Sequence, residues 1–283
     1  MQNTAFYTNY TLNACGHIVD LSTPKVMGIL NVTPDSFYDG ARYESDHAIL
    51  QQAEKMLREG AALIDVGGYS SRPGAVEVSL ADELMRTIHA VKLVKKEFPQ
   101  ALVSVDTFRC AVAYAAVQEG ACMVNDISGG SLDVQMIDTV SKLRVPYVLM
   151  HMRGTPQTMS NQTQYSDVVK DVADYFHTKL HALQQAHVAD VIIDPGFGFA
   201  KTREQNFTLL NNLDYFKNFA RPIMVGLSRK SMIWKTLNTT AQHALNGTTV
   251  LNTIALLKGA SILRVHDVQE AVQVIKLVEA VRM

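Results

Sequence analysis

The chain has 283 residues, with 26 Lys and Arg against 27 Asp and Glu, a formal net charge of −1 at pH 7, and 47% apolar residues beside only 19% charged ones. That composition excludes general disorder, and near-neutrality without a basic cluster excludes a surface that tracks polyanions, so no nucleic-acid partner is expected. The length allows two average domains or one α/β barrel, and a chain of this size buries enough surface, roughly 75% of the unfolded total, to need no disulfide or metal staple.

In chain order, residues 1–13 carry no positively charged segment followed by an apolar one, and no apolar run approaches the ~18 residues of a membrane span. A cytoplasmic protein without a membrane partner is expected. A short β-hairpin is expected within Ala5–Asp20. Beyond it, short apolar runs alternate with segments of helical period, the pattern of βα units around a parallel sheet. Strands are expected at Val26–Leu30, Leu63–Val66, Leu102–Val105, Met123–Asn125, Tyr147–Met150, Val191–Asp194, Ile223–Val225 and Ile262–Val265. Helices are expected at Asp46–Glu59, Ser79–Phe98, Arg109–Glu119, Asp133–Lys142, Tyr165–Ala186, Thr202–Leu213, Ala241–Lys258 and Asp267–Arg282. In the first of these, Ile49, Ala53, Met56 and Leu57 share one face, Gln51, Glu54 and Arg58 point away, and Gly60 marks the end. Eight strand–helix pairs without a flexible linker predict one domain over residues 1–283, a (β/α)8 TIM barrel with an N-terminal hairpin. A doubly wound open sheet is the alternative that the pattern leaves open. Cys15, Cys110 and Cys122 lack C-x-x-C spacing and read as idle thiols.

In such a barrel the site lies at the C-terminal ends of the strands. Polar residues gather there: Asn31 after the first strand, Asp65 at the end of the second, Asp106 after the third, Asn125 on the fourth and Asp194 on the sixth. Ser228, Arg229 and Lys230 follow the seventh strand, and Arg264 and His266 bracket the end of the eighth. A lone Asp after a strand is ordinary turn or cap chemistry, so the convergence carries the weight. Asp106, Asn125 and Asp194 suit the in-plane hydrogen bonds of a flat nitrogen heterocycle, whereas Arg72, Arg264, His266 and Asn31 suit an anion such as a phosphate. For Arg264 an ion pair with Asp267 or another carboxylate is the structural alternative.

The segments Asn31–Gly40 and Gly67–Gly74 are rich in Gly, Pro and hydroxyl residues directly after strands, as candidate lids are. Neither Walker A nor G-x-G-x-x-G spacing occurs, which removes support for nucleotide hydrolysis and dinucleotide binding. No H-E-x-x-H or comparable cluster suggests a protein-caged metal, and His151 after the fifth strand reads as structural. Any metal would be Mg2+ held mainly by substrate phosphates and water, with one or two protein ligands.

These residues fall into ordered motifs: Met27–Phe37, Ile64–Gly68 with Ser71–Gly74, Ser104–Thr107, Asn125–Ile127, Met150–Met152, Asp194–Phe199, Ser228–Lys230 and Arg264–Asp267. With them the chain closely resembles the bacterial dihydropteroate synthases of the pterin-binding family, from Val26 to Val281. The resemblance implies condensation of p-aminobenzoate with hydroxymethyl-dihydropterin pyrophosphate to give dihydropteroate and pyrophosphate. It assigns the pterin to Asp106, Asn125, Asp194 and Lys230, with Met150 lining the pocket. It gives the pyrophosphate to Ser71, Arg72, Arg264 and His266, Mg2+ to Asn31, and the aminobenzoate to Arg72, Pro73, Phe199, Ser228 and Lys230, near Phe37. It further implies a homodimer and sensitivity to sulfonamides. Departures occur at Tyr69 and Ser71, where the family has an acid or amide and a Thr, and at Ala41, Ala200 and Trp234, where Gly is usual.

The implied chemistry breaks a carbon–oxygen bond as the leaving group gathers charge, which Arg72, Arg264, His266 and Mg2+ would stabilise. Asp35 would stabilise the electron-poor methylene, Lys230 would work beside it, and the aniline nitrogen would attack without a covalent enzyme intermediate. Pterin-dependent methyltransferases share the barrel and the acid–amide site but need no pyrophosphate grip. A non-catalytic pterin-binding protein is the other competing reading.

Overall fold

A computed structural model describes residues 10–32, 42–70 and 77–282, with side chains from residue 46 onward in the second segment. Strands β1 (Thr11–Ala14) and β2 (His17–Asp20) pair antiparallel as the expected hairpin. The two-residue turn places Cys15 and Gly16 at φ 52° and 87°, the left-handed geometry whose twist matches a hairpin.

Eight further strands follow: β3 (Lys25–Asn31), β4 (Leu63–Gly67), β5 (Val103–Asp106), β6 (Met123–Asp126), β7 (Tyr147–Met150), β8 (Val191–Asp194), β9 (Met224–Val225) and β10 (Ile262–Val265). Each pairs parallel with its neighbour in the order β8-β7-β6-β5-β4-β3-β10-β9. A parallel bridge between Ile193 and Ile223, with the Ile193 amide donating to the Pro222 carbonyl at 3.0 Å, joins the two ends and closes the barrel. The TIM barrel thus replaces the open-sheet alternative.

The helices are α1 (Arg42–Glu59), α2 (Leu80–Glu97), α3 (Cys110–Gln118), α4 (Met136–Leu143), α5 (Val168–Gln185), α6 (Arg203–Asn211), α7 (Ser231–Thr236), α8 (Leu245–Leu257) and α9 (Val268–Arg282). Helix α1 buries Ile49, Ala53 and Met56 as its period demands, and Gly60 at φ 99° turns the chain out of it. Side chains of Ser79, Asp167 and Thr202 cap α2, α5 and α6 by accepting from amides of the first turn.

Two expectations change. Helix α7 is too short to show a period and was not expected. The helix expected over Ala241–Lys258 is a 3-10 turn, Ala241–His243, followed by α8. The two changes are linked by Gly247 near the start of α8, where a Cβ would lie 2.3 Å from Ile233 of α7. Only a glycine there lets the two helices approach.

Strand side chains alternate between two cores. Outward-facing Val26, Leu30, Ile64, Val66, Val103, Val105, Val124, Leu149, Ile193, Leu263 and Val265 pack beneath the helices. Inward-facing Met27, Leu63, Met123, Val148, Ile192, Met224 and Ile262 form the floor, which Leu12, Ala14, Val19 and Leu21 of the hairpin segment cover. Two residues further along the strands, the same inward face carries Asp65, Asn125, Met150, Asp194 and Arg264 at the mouth. With a period of two, a step of two residues along the inward face separates stability from chemistry.

Candidate active site

Arg264 organises the mouth. It is enclosed at the end of β10, and its Nε donates to Asp65 Oδ2 at 2.6 Å while Nη2 donates to Asp106 Oδ2 at 2.5 Å. Burial opposes its charge, but Asp65 and Asp106 outweigh that and hold the guanidinium firmly protonated. Asn125 Nδ2 donates to the same Asp65 Oδ2 at 2.9 Å, which orients its amide on β6. Asp65, fully buried, leaves Oδ1 without a partner among the described residues. The ion pair expected as the structural alternative for Arg264 is therefore present, made with Asp65 and Asp106, whereas Asp267 holds Arg229 through bonds of 3.0 and 2.5 Å.

The Asp106 carboxyl is pushed up to about 7 by burial; Arg264 opposes the shift, and Asp65, Glu83 and Asp126 add to it. Burial also raises Asp194, against the Gly196 amide, which donates to its Oδ1 at 2.8 Å. The low dielectric around both buried acids makes each hydrogen bond to a ligand worth more than it would be in water.

Asn125, Ile127, Met150, Asp194, Phe197, Phe199, Gly226, Lys230 and Arg264 line a cleft. Its walls are apolar faces with a few convergent polar groups, the usual composition of a small-molecule site. The ammonium of Lys230 lies 4.3 Å over the centre of the Phe199 ring. Gly198 permits this: at φ 81° it is left-handed, and a Cβ would meet Lys230 Cδ at 3.0 Å.

The structure thus gathers Asn125, Met150, Asp194, Phe199, Lys230 and Arg264 on one cleft, with Asp106 tied to it through Arg264. Ser228 and His266 form a separate pair on neighbouring strand ends, Ser228 Oγ lying 3.1 Å from His266 Nδ1 and accepting from the His266 amide at 3.2 Å. Asn31 ends β3 as an exposed residue. Asp35, Phe37, Ser71, Arg72 and Pro73, with Ala41, lie outside the described residues.

Tyr69, one of the departures, is buried edge-on against Phe108 with ring centroids 5.1 Å apart, and Gln157 Nε2 donates to its hydroxyl at 2.8 Å. Phe108 in turn packs on the cluster of Ile127, Met150, Met152, Met159, Phe199 and Ala200. The larger side chain is therefore absorbed into the apolar wall behind the cleft. Two polar residues, one at the mouth and one behind the cleft, had no role assigned from sequence. Asp65 stands out only as a strand-end acid, and Lys201 carries no motif of its own.

Residues 27–266 match the pterin binding enzyme family. The dihydropteroate synthase of Escherichia coli (strain K12) is 42% identical over 271 residues, 95% of each chain. Among solved structures, the Yersinia pestis dihydropteroate synthase in a sulfonamide drug complex superposes with a TM-score of 0.90 at 41% identity, over 96% of this chain and 99% of that one. The Xanthomonas albilineans dihydropteroate synthase with 4-aminobenzoic acid also reaches a TM-score of 0.90, at 36% identity over 97% of this chain and 98% of that one. Similarity at this level over nearly the full length, on a barrel whose mouth is lined by buried acids, an amide, a lysine and an arginine, places the chain in the pterin binding enzyme family, among its dihydropteroate synthases.

Proposed function

We propose that, in joining p-aminobenzoate to hydroxymethyl-dihydropterin pyrophosphate, the chain holds the pterin on Asp106, Asn125, Asp194 and Lys230 and seats the aminobenzoate against Phe199, Ser228 and Lys230. The observation that carries this reading is the convergence of buried carboxylates and an oriented amide on the one cleft at the barrel mouth. A pterin ring presents an alternating row of donors and acceptors, which groups held at rigid strand ends match without reorganising. Met150 and Ile127 supply the apolar wall for its faces.

In the reaction, the carbon–oxygen bond of the pterin methylene breaks and its electron pair leaves with pyrophosphate. The aniline nitrogen then supplies the pair for the new carbon–nitrogen bond and loses a proton to water. We read the displacement as dissociative, because the electron-poor methylene is conjugated to the pterin. Arg264 and His266 face the leaving group, with Arg72 and Ser71 completing the grip and Asp35 stabilising the methylene in the same reading.

Asn31 would hold Mg2+. Among the described residues no group of three His, Cys, Asp or Glu forms a cage, and a single exposed amide oxygen beside the mouth suits a hard cation that takes its other ligands from pyrophosphate and water. Bound there, the ion would neutralise charge on the leaving pyrophosphate. A homodimer and a cytoplasmic location complete the reading. In support of the dimer, exposed Val250 and Leu257 on α8 and Leu277 and Val281 on α9 place apolar surface on two packed helices. No described helix is long and apolar enough to cross a membrane.

Calorimetry of pterin pyrophosphate binding to Asp194→Asn, paired with an assay of dihydropteroate formation, tests the assignment. Exchanging a carboxylate for an amide removes half its acceptors, so affinity should fall more than about tenfold. Unchanged affinity would remove Asp194 from the pterin site.

A further inference from the structure

Lys201 follows the strand-end acid Asp194 by seven positions, and its side chain turns back into the protein rather than out to water; the residue is 9% exposed. A buried ammonium has three N–H donors to satisfy, and here each finds an acceptor. Lys201 Nζ donates to His151 Nδ1 at 2.9 Å, to the Gly196 carbonyl at 3.0 Å and to the Phe199 carbonyl at 3.0 Å. Among the described residues it makes no ion pair within 4.0 Å. Burying a lysine without a carboxylate partner is costly, so its retention needs a return beyond packing.

The return is visible in what the three bonds join. His151 follows β7, whereas Gly196 and Phe199 belong to the loop after β8, so the ammonium ties the two loops together. For Nδ1 to accept, His151 must be neutral with its proton on Nε2. Burial, with Lys201 and Arg153 nearby, lowers His151 to about 2, and burial lowers Lys201 itself to about 7. From the other side Asn206 Oδ1 accepts from the Gly198 amide at 2.7 Å, while its Nδ2 donates to the Thr202 carbonyl at 2.6 Å.

The loop so held is not one the chain would choose alone. Gly196 and Gly198 are left-handed, a Cβ on Gly196 would lie 2.0 Å from the His151 carbonyl oxygen, and Ala200 is left-handed at φ 49° despite its side chain. The outcome of this enforced path is the position of the Phe199 ring, which lines the cleft under the Lys230 ammonium.

We infer that Lys201 is a positioning residue: with neutral His151 it locks the loop after β8 so that the Phe199 ring is presented to Lys230 and to the aminobenzoate. This rests on the reading that Phe199 and Lys230 seat the aminobenzoate. Lys201 itself touches neither substrate.

Steady-state kinetics on Lys201→Met, His151→Phe, His151→Gln and Phe199→Ala test it. Lys201→Met keeps the length of the side chain and removes its donors, and about a tenfold rise in the KM for aminobenzoate is expected, with pterin KM and saturated kcat within about threefold of the wild type. His151→Phe removes the acceptor and should behave the same way. His151→Gln supplies a new acceptor oxygen and should restore the aminobenzoate KM to within about threefold of the wild type. A merely structural lysine would lower the yield of active enzyme and leave each KM unchanged. Should Lys201→Met fail to fold, the two His151 variants decide, and equal aminobenzoate KM in both overturns the inference. An unchanged aminobenzoate KM in Lys201→Met overturns it too. If Phe199→Ala also leaves that KM unchanged, the seat assigned to the aminobenzoate is wrong; if only Phe199→Ala raises it, the seat stands and the role of Lys201 fails.

Discussion

The floor and the mouth of the barrel are built from the same strands, two residues apart, yet they solve opposite problems. On β4, β6, β8 and β10 the inward residues at the floor are Leu63, Met123, Ile192 and Ile262, and those at the mouth are Asp65, Asn125, Asp194 and Arg264. The floor is apolar and covered by the hairpin, so each side chain stabilises by the area it removes from water. The mouth buries charge as well, and is tolerable only because each ion meets partners: Arg264 holds Asp65 and Asp106, and Asp65 orients Asn125. A floor residue fails alone when replaced. A mouth residue takes its partners with it.

The sharpest way to break the contrast is Arg264→Ala. Removing one member of a buried ion pair costs about 3–5 kcal/mol, because the carboxylates left behind have no counter-charge. Thermal unfolding should fall accordingly, and pterin affinity with it, since Asp106 and the Asn125 amide lose their anchor. Turnover should fall further than affinity, as a leaving-group contact strengthens in the transition state. A variant with wild-type unfolding and affinity would show that the guanidinium is no organiser.

Leu63→Ala probes the floor. A buried leucine cut to alanine costs about 2–5 kcal/mol in denaturant unfolding, while pterin affinity by calorimetry should stay at the wild-type value. A matching loss of affinity would mean that the two layers are mechanically one.

The pH dependence of stability separates the layers by charge. With its folded value raised to about 7, Asp106 binds more protons in the folded state than in the unfolded one, where a carboxyl titrates near ~3.9. Its contribution is therefore full below about pH 4 and is lost as pH rises through about 7. Burial raises Asp194 in the same sense, so the informative quantity is the difference between the wild type and Asp106→Asn, which should lack that part of the slope. Leu63→Ala should keep the wild-type slope. Parallel curves for the wild type and Asp106→Asn would refute the raised value.

The smallest effect is expected at Ala200, beside the mouth. A left-handed alanine costs ~1–2 kcal/mol, and a glycine there gives back ~0.4–1 kcal/mol through the freer unfolded chain. Ala200→Gly should thus stabilise by about 0.5 kcal/mol, read as a shift in denaturant midpoint. A destabilised variant would mean that the methyl group, packed with Phe199 and Met150, matters more than the strain.

Local patterns in the sequence already determined much of this molecule. Apolar runs alternating with helical periods mark eight barrel strands and most of the helices, and acids at the strand ends mark the mouth, because periods of 2 and 3.6 are written in neighbouring residues. The resemblance to the pterin-binding family rests on motifs equally local. Helix α7 escaped because six residues are too few to show a period. Only the closed barrel decided which carboxylates Arg264 meets, for Asp65 and Asp106 lie 199 and 158 positions away and come within reach through the pairing of β10 with β3. Likewise Lys201 reads as an ordinary loop lysine until β7 and β8 bring His151, 50 positions away, against it. Periodicity is a property of the chain, whereas a partner across the barrel is a property of its closure.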